Sequence, residues 1–176
     1  STTSSGTSVS QATAAASSSQ NQSKYEANVA SVAGKMDNRV IAAYQQLGFK
    51  LVVDPSVNYS GYFDARSRSI TMKQIDDSVY HELGHFLAFI AGNADKTASF
   101  QSIFAAEKAN VTAFNKAYVT QNASEYFAES VKDYILNNAS LKSSRPQTYA
   151  AVQNALNQIT DAQIAKIQKI YGAFWN

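Results

Sequence analysis

The chain has two histidines, and they stand four residues apart in His81-Glu82-Leu83-Gly84-His85. On a helix, residues at that spacing share a face, so both imidazoles reach a single point. Glu82 lies roughly 100° further round the helix. From there it touches a water held at that point without taking a coordination place. Imidazole is the commonest metal ligand among side chains, and this arrangement is the physical content of the H-E-x-x-H signature of zinc hydrolases. Two features argue against an ordinary helix that merely buries two histidines. Gly84 costs about 1 kcal/mol relative to alanine in a helix interior, and Glu82 sits beside an otherwise apolar stretch.

A metal held here has to recruit a ligand from outside the motif. A catalytic zinc takes three protein ligands, and the chain offers no further histidine and no cysteine. The third ligand is therefore a carboxylate. The missing histidine also excludes the metzincin pattern, which wants Gly and His three and six positions after His85, where Ala88 and Ala91 stand. The candidates are Glu125 and Glu129 in Ser124-Glu125-Tyr126-Phe127-Ala128-Glu129-Ser130. Three assignments fit the spacing. Glu125 ligates while Glu129 hydrogen-bonds an imidazole from behind; Glu129 ligates while Asp133 holds the imidazole; or Glu125 only completes a capping box with Asn122.

The surroundings suit one domain. The net charge is +2, with Lys and Arg scattered, so no basic stripe points to nucleic acid. No apolar run approaches the about 20 residues of a membrane-spanning helix. Residues 1–23 are almost all Ser, Thr, Ala, Gln, Gly and Asn, too polar to offset their ordering entropy, and read as a flexible leader or linker. Residues 24–176 then form a single domain.

Within it, Tyr25, Val29, Val32, Met36, Val40, Ala43, Tyr44 and Leu47 recur at three and four, which predicts one amphipathic helix ended by Gly48. Phe49 to Val53 reads as a buried strand. Gly61 to Asp64 and Ser69 to Lys73 read as a hairpin, whose second strand is expected to offer a free edge to a peptide. The motif helix starts at Asp76 to Ser78 and ends at Gly92. Further helices start near Phe100, Asn122 or Ser124, Pro146 and Thr160. The expected fold is α+β and mostly helical, with a small sheet before the H-E-x-x-H helix and a helical C-terminal half, in the manner of gluzincins.

Four stretches, in order and with compatible gaps, go further: Gly61 to Ile70, His81 to His85, Glu125 to Glu129, and Pro146-Gln147-Thr148-Tyr149. From about Val57 to Leu156 the chain resembles the zinc protease domain of anthrax lethal factor and the related secreted Pro-Pro endopeptidases. The resemblance implies Glu125 as the third zinc ligand, with Glu129 supporting the site from behind. It also implies that Tyr118, seven residues before Glu125, points at the bound water or the substrate oxyanion. The activity implied is that of a secreted zinc metalloendopeptidase from a Gram-positive bacterium, with one Zn2+, Glu82 as general base and a peptide or protein substrate. A monomer is the default expectation. Between Leu51 and His81 the chain lacks the longer Trp- and Gly-rich insertion of the Pro-Pro endopeptidases, and its one tryptophan is Trp175. Competing readings are a non-catalytic binding module stabilised by zinc, and a zinc hydrolase acting on non-peptide bonds.

Overall fold

The structure is a computed structural model that describes residues 23–175. Apart from Ser23, the leader expected over residues 1–23 lies outside the described residues.

The expected helix from Tyr25 to Leu47 is three elements instead. Tyr25–Ala27 is a strand (β1), Val29–Val32 a single helical turn (α1) and Asn38–Gln46 a helix (α2). Local side-chain bonds win over the apolar periodicity. Asn28 Oδ1 accepts from the Ala30 and Ser31 amides at 2.9 and 3.3 Å, and Asp37 Oδ1 accepts from the Arg39 amide at 2.9 Å. Each restarts the chain as a helix N-terminus, as short polar side chains do.

Lys50–Val53 (β2), Gly61–Asp64 (β3) and Ser69–Met72 (β4) complete a four-stranded sheet in the order β1-β2-β4-β3. β3 and β4 form the expected antiparallel hairpin, with Phe63 opposite Ile70. β4 then runs parallel to β2, with Leu51 opposite Ile70. That placement corrects one expectation. β4 is hydrogen-bonded on both sides, so the open edge beside the motif helix belongs to β3.

The helices follow: Ser78–Ile90 (α3), Ala98–Glu107 (α4), Lys116–Val119 (α5), Ala123–Leu136 (α6), Asn138–Ser144 (α7), Pro146–Asn157 (α8) and Asp161–Trp175 (α9). The protein is thus α+β and mostly helical, as expected, although α5 and α7 had no counterpart in the sequence reading. No helix among the described residues is long and apolar enough to cross a membrane.

α3 runs through the middle, with Val79, Leu83, Phe86, Leu87 and Ile90 fully buried between the sheet and α6. Gly84 sits where α3 meets α6. A Cβ on it would lie 2.6 Å from the Ala128 carbonyl oxygen and 2.7 Å from the Ala128 Cα. The glycine that weakens α3 as an isolated helix therefore lets two backbones touch, and that contact positions the site.

Candidate metal centre

α3 and α6 bring the two halves of the site face to face. α3 begins where Asp76 accepts from the Ser78 amide at 3.0 Å. It presents His81 and His85 one turn apart, with ring centroids separated by 5.1 Å. α6 begins at Asn122, whose Oδ1 accepts from the Glu125 amide at 2.8 Å. That cap fixes the backbone of Glu125 while leaving its side chain free to cross to α3.

The crossing is specific. Glu125 places Oε2 2.9 Å from His81 Nε2 and Oε1 3.2 Å from His85 Nε2. One ligand atom from each of His81, His85 and Glu125 lies within 4.8 Å of the others. Four residues on, Glu129 Oε2 lies 3.2 Å from His81 Nδ1, and Lys132 Nζ lies 3.6 Å from Glu129 Oε1. Asp133 is elsewhere: its carboxylate pairs with the buried Arg145. Of the three assignments, the geometry places Glu125 between the rings and Glu129 behind one of them. The capping bond at Asn122 is made by the backbone of Glu125 rather than by its carboxylate, so the third reading describes α6 without excluding the first.

Burial sets the electrostatics. It opposes the charge on His81, but Glu125 and Glu129 face both of its ring nitrogens and raise its pKa to about 9. Burial also opposes the charge on Glu125, where the two imidazoles win and hold the carboxyl well below its usual range. For Glu129, His81 and then Lys132 likewise outweigh burial, so its pKa is lowered. Glu82 differs. It is 6% exposed and forms no ion pair among the described residues, and burial pushes its pKa up against the opposing pull of His81 and His85. A carboxylate poised in this way takes a proton readily.

The donor set suits zinc. Two neutral imidazole nitrogens and one carboxylate oxygen are a three-ligand catalytic set. A carboxylate on the second nitrogen of His81 favours the tautomer that leaves Nε2 free to ligate a metal. Tetrahedral bonds of about 2.1 Å put donor atoms about 3.4 Å apart, so the observed 2.9 and 3.2 Å separations need only a small opening.

A cleft of about 440 Å³ opens beside His81, lined by Tyr59, Ser60, Gly61, Glu82, Tyr118 and Glu129 among others. Gly61 starts the edge strand β3 hard against the site. A Cβ there would lie 2.8 Å from Glu82 Cγ. Tyr118, on the short helix α5, is half exposed, with its ring 6.5 Å from that of His81. Partial burial and the negative charges of Glu125 and Glu82 raise its pKa, which keeps the phenol protonated as a donor.

The sequence reading missed Gly61, Lys132 and Phe63, whose ring stacks on that of His85 at 6.4 Å. Only Gly61 carried a signal, as a glycine opening a strand.

The family described as anthrax toxin lethal factor, N- and C-terminal domain, matches residues 65–155, about half of the chain. A Pro-Pro endopeptidase from Clostridioides difficile (strain 630) is 41% identical over 78 residues, which cover 42% of this chain and 34% of that protein. The match thus spans about a third of that relative's length.

Proposed function

Because the chain belongs to the anthrax toxin lethal factor family, we propose that it is a zinc-dependent metalloendopeptidase that hydrolyses peptide bonds with Glu82 as general base. The observation that carries this reading is the convergence of His81 Nε2, His85 Nε2 and the Glu125 carboxylate on one point, beside a buried Glu82 in an open cleft.

His81, His85 and Glu125 would hold one Zn2+, and Glu129 would keep the His81 ring in its ligating tautomer. The metal supplies Lewis acidity and lowers the pKa of water towards neutrality. Glu82 receives the water proton and returns it to the leaving amine, a double duty suited to a carboxyl whose pKa burial has raised. The Tyr118 hydroxyl donates to the oxyanion as it forms, a contribution of about 3 kcal/mol for one such donor. The free edge of β3 gives an extended peptide a row of backbone partners, and it starts at Gly61, against Glu82. The resemblance and the relative's name support a peptide or protein as substrate. Export from a Gram-positive cell and action as a monomer belong to the same proposal.

The test is hydrolysis of a mixed peptide library by the zinc-loaded protein, with products read by mass spectrometry. Cleavage should stop with a chelator and return with zinc. Zinc bound without cleavage of any peptide would instead leave a binding module, or a hydrolase of other bonds.

A further inference from the structure

β3 runs along the motif helix, and the strand period of two puts Gly61 and Phe63 on the face towards α3. Tyr62 points the other way and is more than half exposed. At Phe63 the inner face carries a ring, stacked on His85 with centroids 6.4 Å apart. At Gly61 it carries nothing. An added Cβ there would lie 2.8 Å from Glu82 Cγ, 3.2 Å from Glu82 Cδ and 3.2 Å from Met72 Sδ. Carbon atoms in contact sit about 3.5–4.0 Å apart. A side chain at position 61 and the present conformation of Glu82 therefore exclude each other.

The glycine is not there for its backbone. Positive φ among the described glycines belongs to Gly48 and Gly92, and a glycine inside a strand weakens it. What the position gains is the room of one methyl group, which Glu82 fills. Glu82 has few other restraints. Glu129 and His81 hold each other, and Glu125 lies between both imidazoles. Glu82 forms no ion pair among the described residues and is 6% exposed, so the atoms packed around it set its rotamer. A general base acts over a hydrogen-bond reach of about 2.6–3.2 Å. Moving Cγ from 2.8 Å to ordinary contact takes a shift of about 0.7 Å or more, and a misplacement of about 1 Å costs up to about 10²-fold in rate.

We propose that Gly61 is a positioning residue for Glu82: its bare Cα is the wall that sets where the Glu82 carboxyl sits in the cleft. The proposal rests on the peptidase reading above and adds to it the element that aims the base.

A double-mutant cycle with two readouts tests it. In the zinc-loaded protein, on a peptide it cleaves, Gly61→Ala should lower kcat by about 10–100-fold, with KM and zinc content near those of the wild type. The loss should largely disappear on a Glu82→Gln background, whereas a glycine needed only for the strand would lower both backgrounds alike. In metal-stripped protein, Gly61→Ala should lower the urea midpoint. On a Glu82→Ala background, where Cγ and Cδ are gone, the same methyl group should cost much less. Should Gly61→Ala fail to fold by itself, the double variant with Glu82→Ala should fold. Equal falls in kcat on both backgrounds, wild-type kcat in folded Gly61→Ala, or a double variant that folds no better overturns the positioning role and leaves the peptidase reading intact. No cleavage of any peptide by the zinc-loaded wild type overturns both.

Discussion

Glutamates are buried in two regions of this molecule, and the two regions use them in opposite ways. Glu107 accepts from the Gln147 amide at 3.1 Å, the Thr148 amide at 2.7 Å and the Thr148 hydroxyl at 2.7 Å. All three donors come from the first turn of α8, whose amides have no partner within their own helix. The carboxylate is saturated, and its charge faces the positive end of the helix dipole. Arg145 completes a neighbouring set, donating to Ser130 and Asp133 while its guanidinium lies over the Tyr126 ring. At the candidate metal centre, Glu82, Glu125 and Glu129 share two imidazoles and one lysine, Lys132. Negative charge is in excess there, and the group opens onto a cleft. A buried acid surrounded by donors holds a fold together, whereas one left short of positive charge beside solvent awaits a ligand.

The sharpest way to break this contrast is to neutralise one acid from each region. Glu82→Gln should lower kcat by about 10²–10⁴-fold, the usual contribution of a general base. Its unfolding midpoint should hold or rise, because burial already disfavours the charge. If that variant loses stability and keeps its turnover, Glu82 belongs with the scaffold.

Within the site, the two α6 glutamates should separate. Glu125→Ala should lose metal on dialysis more completely than Glu129→Ala, whose affinity should fall by about 10–100-fold, as when a group behind a ligand is removed. The reverse ranking in zinc content would hand the ligand role to Glu129. On the scaffold side, Glu107→Ala strands three donors and should cost about 3 kcal/mol of unfolding free energy in urea. Its kcat/KM per folded molecule should not change. A selective loss of activity would show that the scaffold network reaches the chemistry.

The smallest effect is on pH. In metal-stripped protein the His81 pKa is raised to about 9 from an ordinary 6.5. Its contribution to stability is therefore complete below pH 6.5 and is lost as pH rises through about 9. Glu125 and Glu129 are shifted down from 4.5, so their contribution is present above that value and is lost as pH falls through their lowered pKa values. The stripped protein should weaken between pH 6.5 and about 9, while zinc, replacing the proton, should flatten that decline. Urea midpoints with and without chelator measure it. Identical profiles would separate the His81 shift from the metal site.

Elements with strong local signals were legible in the sequence. The hairpin at 61–64 and 69–72, the motif helix and the Asn122 cap stand where spacing and capping residues put them. Elements that depend on competition were not. Apolar spacing suggested one helix from Tyr25, but Asn28 and Asp37 cap two shorter ones, and Tyr25–Ala27 pairs with β2. The start of α9 near Thr160 was legible, but the spacing of Thr160 and Gln163 suits a reciprocal cap that forms only by half. Thr160 does accept from the Gln163 amide at 3.2 Å, but the Gln163 side chain donates instead to the Ile90 carbonyl at the end of α3.

The sequence alone determined the ligand chemistry: two imidazoles on one helix face, no thiol, and a short choice of carboxylates. Those follow from residue identity and from the 3.6-residue period, which are local properties. Only the tertiary structure decided which acid meets which nitrogen and which strand is the open edge. The first depends on how closely α3 and α6 approach, over a sequence separation of 44 from His81 to Glu125, and the second on long-range strand pairing. That approach is set by the absence of a side chain at Gly84, against the backbone of Ala128.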